Sequence, residues 1–232
     1  MRDDQKRFRG AAPLVFVAAY FGLTITRNAG WVPSSLSFIP VVEAAWLNFV
    51  VVLAAAYWMR VREIPLASVG VGAWSPGPRL FKWVAGVMAV DYLAIGVATP
   101  VLNGIFGEAE QVARFAALPG NLPLLLLLLP LMWLIAAFGE EFFFRGFLLT
   151  VIAQRLGASR AAWITGVLAQ AIAFGLIHAY QGPAEAISIG IGGAVYGAAF
   201  LMSGRNLWPL ILAHGINDTL GLVLLYAGVL SR

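Results

Sequence analysis

The chain has 232 residues, of which 61% are hydrophobic and 11% charged, with a mean hydropathy of +0.85. Ordinary soluble domains carry about 25% charged residues, so this composition excludes a water-soluble globular enzyme and points to an integral membrane protein. The absence of cysteine excludes disulfides, iron–sulfur clusters, thiolate zinc sites and a cysteine nucleophile; the net charge of +4 and pI near 9.8 come from cations lying between apolar runs and not along one face, which argues against nucleic acid as a partner.

A bilayer crossing needs about 20 apolar residues, and such runs are predicted at 11–26, 41–59, 82–103, 122–150, 160–179, 184–203 and 206–229. The fold class is therefore all-α, a polytopic transmembrane helix bundle of about seven or eight spans, forming a single integral membrane domain over 1–232. The first run follows Arg2, Lys6, Arg7 and Arg9 and lacks a small-x-small cleavage site before Arg27 and Asn28, so it reads as a retained anchor. Arg60, Arg62, Arg79 and Lys82 flank the loop after the second run, Arg155 and Arg160 follow the fourth, and Arg205 follows the sixth. These are alternate loops; the intervening ones hold Arg27 alone, or Glu108, Glu110 and Arg114. The positive-inside rule thus predicts a cytoplasmic N-terminus and, with seven spans, a C-terminus on the other side. Ala73 to Pro78, which includes Trp74, Ser75, Pro76 and Gly77, is a loop by its turn chemistry. Pro130 removes a backbone donor inside the fourth run and predicts a kink there. In the sixth run Gly190, Gly192, Gly193, Ala194, Gly197, Ala198 and Ala199 permit close backbone approach, a packing signal.

The two histidines, His178 and His214, lie within apolar runs downstream of a third run carrying Glu140 and Glu141. An ionisable group at bilayer depth costs at least ~2.5–3.5 kcal/mol, so such a set is a functional-site hypothesis by default. In Glu140-Glu141-Phe142-Phe143-Phe144-Arg145-Gly146, positions four apart share a helix face, so Glu141 can pair with Arg145 while Glu140 stands about 100° away. A paired carboxylate is a poor base and a desolvated unpaired one a better one. Glu140 is therefore the candidate general base and Glu141 with Arg145 its support; the alternative is one buried ion cluster holding helices together. In the second motif, Phe174 stands four residues before His178 and offers it an apolar wall. The third motif is His214-Gly215-Ile216-Asn217-Asp218, in which His214, Asn217 and Asp218 share a face. A histidine donor with a neighbouring amide could hold a developing oxyanion. An ionised Asp218 cannot donate, so it must orient His214 by accepting from it, or be protonated. By linear counting from the cytoplasmic side, His178 falls deeper than His214, which calls for helix tilt or a later start to the fifth run.

Together the three motifs resemble the CPBP intramembrane protease family of CAAX proteases and bacteriocin-processing enzymes, which includes the type II CAAX prenyl endopeptidase. Its signature is two glutamates, three residues and arginine; phenylalanine, three residues and histidine; histidine, three residues and asparagine or aspartate. All three occur here in order, within a motif core at about 120–220. The resemblance implies that Glu140 and His178 activate a water that attacks a peptide carbonyl, while His214 and Asp218 hold the oxyanion. It implies as partners the lipid bilayer and a membrane-associated or lipidated protein or peptide substrate. No cofactor is expected, with zinc or another divalent metal as the alternative, because a helical HExxH arrangement is absent. The short chain points to a multi-pass protein of the bacterial cytoplasmic membrane. Asp91 and Glu185, outside the motifs, keep open a proton-coupled transporter, and a catalytically silent membrane binding or immunity protein is a third reading. Neither the oligomeric state nor the substrate is legible in the sequence.

Overall fold

A computed structural model describes residues 8, 10–29, 31, 45–72, 74–107 and 115–230. Among these the chain is all-helical, 81% helix with no strands. In chain order the helices are α1 (Ala12–Asn28), α2 (Ala45–Val61), α3 (Pro78–Phe106), α4 (Leu122–Leu131), a π-helical segment (Met132–Leu148), α5 (Leu149–Arg155), α6 (Arg160–Ile177), α7 (Pro183–Met202) and α8 (Trp208–Tyr226), with single 3₁₀ turns at Leu66–Val69 and Ala179–Gln181. The charges at Arg2, Lys6, Arg7, Arg9, Glu108, Glu110 and Arg114, and Ala73 of the loop, lie outside the described residues.

Every predicted run corresponds to a helix, but the count of seven or eight spans does not follow. Among the described residues five stretches are long and apolar enough to cross a bilayer: α3, the continuous rod from Leu122 to Arg155, α6, α7 and α8. Helices α1 and α2 have 17 residues each as described, at the lower end of the ~17–25 residues that cross a bilayer. The outer surface is that of a protein immersed in lipid. Leu93, Val97, Val101 and Ile105 on α3, and Ile164, Leu168, Ile172 and Leu176 on α6, are all exposed at four-residue spacing. Such continuous apolar stripes are an aggregation liability in water and ordinary in hydrocarbon.

Local chemistry sets the helix ends. Asn121 and Ser159 accept from Leu124 N–H and Ala162 N–H as N-caps of α4 and α6. Prolines open α1, α3, α4, α7 and α8 in the first turn, where a missing N–H costs nothing. Helix α3 starts at Pro78, earlier than the predicted residue 82, and runs through Pro100 without ending. Two residues after Pro130 the rod passes into π-helix. Proline cannot donate to the carbonyl four residues back, and the ladder continues from Met132 as wide turns, closing with Leu149 N–H on Phe144 O. The expected disturbance at Pro130 is thus a change in helix type just before the glutamates.

Buried hydrophobic side chains gather in three clusters among the described residues. Phe142, Phe143, Phe144 and Phe147 are buried under α1, where Tyr20 stacks on Phe143 at 3.8 Å between centroids. Helices α6 and α7 form the closest pair. A Cβ on Gly193 would meet Ala171, and one on Gly197 would lie 2.6 Å from Gln170, whose amide donates to Gly193 O at 2.7 Å. The small residues of the sixth run act as expected, as a packing surface.

One contact fixes the depth of the site. Gly146 lies against the Val69 carbonyl and Leu207, with room for no methyl group: a Cβ there would be 2.6 Å from Val69 O and 3.0 Å from the Leu207 side chain. Leu207 N–H donates to Gly70 O at 3.0 Å. Helix α8 therefore begins level with Gly146, nine residues short of the Arg155 end of the rod. Glu140 lies six residues back from Gly146 and His214 seven on from Leu207, so the two helices, running oppositely, bring them to one level. The depth mismatch expected from linear counting is removed by the recessed start of α8, and not by a later start to α6, which begins at Arg160 as predicted.

Candidate active site

The structure gathers all three motifs around a cavity of about 540 Å³. Glu140, His178, His214, Asn217 and Asp218 line it, each partly exposed to it. Glu141 and Arg145 lie behind this wall, 0% and 1% exposed.

The first motif divides as its spacing predicts. Arg145 Nη1 donates to Glu141 Oε1 at 2.8 Å, and the guanidinium lies 4.1 Å above the Phe174 ring and 5.3 Å from that of Tyr196. A planar cation between aromatic faces and a carboxylate is well matched to a buried site. Glu141 does more than expected, however. Its Oε1 also accepts from His214 Nδ1 at 2.9 Å. Asp218 Oδ2 lies 3.6 Å from His214 Nε2, longer than a hydrogen bond, so the hydrogen bond to the imidazole comes from Glu141. Because a carboxylate only accepts, His214 Nδ1 carries a proton; Nε2, turned toward Asp218, has a second proton to donate when the ring is the imidazolium.

His178 terminates α6 as its C-cap, with φ −97° and ψ 4°, and is not inside a helix as the predicted 160–179 run implies. Its Nδ1 lies 2.8 Å from Phe174 O. A carbonyl can only accept, so Nδ1 holds the proton and Nε2 is the basic nitrogen of the neutral ring. Phe174 provides the expected apolar wall, its ring 4.8 Å from the imidazole, and also the face beneath Arg145. On the opposed helices, Gly166 packs on Leu149, and His178 and Glu140 line the same cavity.

Sequence reasoning missed several groups. Tyr92 of α3 lines the cavity and donates to Asn217 Oδ1 at 2.8 Å. Trp133 packs on Gly215 and donates to Thr219 Oγ1 at 3.0 Å. Gly215 between His214 and Asn217 was the available signal, since a small residue beside site groups admits a bulky neighbour. Arg27, read as a topology marker, is in the last turn of α1 and lines the cavity, with Asn48 Oδ1 3.5 Å from its guanidinium. Asp91 and Glu185 do not line it: Asp91 is buried against Gly192 and Glu185 is in the first turn of α7.

Among the described residues no three histidine, aspartate or glutamate side chains converge on a point where one ion could be held. His214 Nδ1 is engaged by Glu141.

Residues 122–220 match the family model described as Type II CAAX prenyl endopeptidase Rce1-like. These residues are similar to an Rce1-like domain. The match begins at the α4 N-terminus and ends two residues after Asp218, so the Rce1-like region contains all three motifs and supports a CAAX-protease-like peptidase in the membrane. Tyr92 and Arg27 of the cavity lie outside it. No curated protein and no solved structure matches the chain.

Proposed function

We propose that the protein is a glutamate-type intramembrane endopeptidase, without a metal, that cuts a membrane-associated or lipidated protein or peptide in the bacterial cytoplasmic membrane, with its N-terminus in the cytoplasm. The observation that carries this reading is the division of labour between neighbours: Glu141 is committed to Arg145 and His214, while Glu140 faces the cavity shared with both histidines.

In the proposed reaction Glu140, aided by His178 Nε2, takes a proton from water as its oxygen bonds to the scissile carbonyl carbon, and the carbonyl π pair moves to oxygen. His214, with the polar groups of its helix, supports that oxyanion in a site where water is scarce and hydrogen bonds are strong. The intermediate collapses with cleavage of the C–N bond, and the proton held by Glu140 passes to the leaving nitrogen, so an acid and an amine result and the carboxylate is regenerated.

The test compares the membrane proteome, by mass spectrometry, of cells making the wild type or Glu140→Gln at equal abundance. Cleavage products present only with the wild type are expected; identical fragment sets would reject the reading.

A further inference from the structure

The third motif ends in Asp218 where an amide would supply a donor, and a carboxylate in its ionised form has none to give. One residue earlier, Asn217 lines the same cavity. Its carbonyl oxygen is occupied: Tyr92, 125 positions away on α3, donates its hydroxyl to Oδ1 at 2.8 Å. An amide gripped by its oxygen has its orientation set, and its nitrogen is the end left to donate. Among the described residues Asn217 Nδ2 makes no other hydrogen bond. His214 stands three residues before it on α8, the spacing at which helix side chains are neighbours.

From this geometry we infer that the Asn217 amide nitrogen is the second oxyanion donor beside His214, and that Tyr92 is a positioning residue that fixes the amide with its N–H toward the cavity. The inference rests on the proposed peptidase reading and deepens it. It explains how a chain with aspartate at position 218 retains a neutral donor, and it makes α3, outside the matched domain, a contributor to the chemistry. A preorganised donor acts mainly on the transition state, so its loss lowers kcat more than it raises KM.

The experiment measures kcat and KM in nanodiscs with a quenched-fluorescence peptide spanning a Glu140-dependent cleavage site found in the membrane-proteome comparison, with thermal unfolding recorded for each variant. Asn217→Asp retains an oxygen for Tyr92 to bind but removes the amide N–H; kcat is expected to fall about 100-fold with KM nearly unchanged and unfolding as in the wild type. Tyr92→Phe keeps the ring and frees the amide, and about a 10-fold loss in kcat is expected. The double variant Tyr92→Phe/Asn217→Asp is expected to be no slower than Asn217→Asp, because the hydroxyl acts only through the amide. Wild-type kcat in Asn217→Asp would overturn the donor assignment, and multiplied losses would overturn the positioning link. Glu140→Gln is run alongside: full dependence on Glu140 with no effect of Tyr92→Phe sinks this inference alone, whereas identical membrane-proteome fragment sets with the wild type and Glu140→Gln sink both it and the reading beneath it.

Discussion

Glu140 and Glu141 are adjacent, chemically identical and on the same helix, yet their surroundings differ in kind. Glu141 is fully buried, with one oxygen shared by Arg145 and His214; Glu140 borders a cavity of about 540 Å³. The difference arises from helix phase alone. One side chain points at α6 and α8, whose arginine-capping ring and histidine complete its shell, and the other points into space large enough for a peptide segment. Residue type does not distinguish support from chemistry; the set of partners does.

The sharpest way to break the comparison is Glu140→Gln. The amide conserves volume and removes the proton acceptor, so peptidase activity is expected to fall at least ~100-fold with folded yield unchanged; substantial cleavage by this variant in the peptide assay would make the two glutamates equivalent. Next come Glu141→Gln and Arg145→Ala, each leaving a buried charge without its partner at a cost of about 3–5 kcal/mol. Both are expected to lower folded yield and unfolding temperature together, in contrast to Glu140→Gln, and normal thermal unfolding in either would show that the pair carries no structural load. A smaller effect is expected for Gly215→Ala. Its Cβ would lie 2.5 Å from the Trp133 ring, overpacking worth about 1–3 kcal/mol, readable as a lower denaturation midpoint and slower turnover. The smallest belongs to Asp218→Asn. Because Asp218 stands 3.6 Å from His214 Nε2, too far for a hydrogen bond, activity is expected to fall only a few-fold, about 1 kcal/mol at most, and to be insensitive to chelator in both variant and wild type. Loss of activity in Asn together with inhibition by chelator would bring a metal back into the mechanism.

The sequence carried most of the site because its signals were local. Glu141 and Arg145 pair at a spacing of four, and Phe174 and His178 meet at the same spacing; neighbours this close in sequence share a helix face both in α6 and in the wider turns of the π-helical segment. What required long-range packing stayed hidden. That Glu141 reaches His214, 73 residues on, depends on where α8 begins, and that in turn on Gly146 fitting under Val69 and Leu207, a relation no periodicity encodes. Asp218 is the near neighbour of His214 in sequence, yet the hydrogen bond to the imidazole comes from a carboxylate of another helix. Tyr92 was invisible for the same reason, since one tyrosine among the apolar residues of α3 has no pattern to mark it. The span count rests on α1 and α2, which are apolar and 17 residues long as described, at the lower end of the ~17–25 residues that cross a bilayer.

Glu141 Oε1 receives both Arg145 and His214, while Glu141 Oε2, buried, has no hydrogen-bond partner among the described residues. A mutational tolerance map scored on activity will therefore mark positions 141 and 145 as intolerant as 140, since disturbing the guanidinium withdraws the atom that steers the imidazole. Intolerance in this protein traces a connected knot of side chains and not the reacting group within it. Only a screen that records abundance and turnover separately for every variant will untie the two.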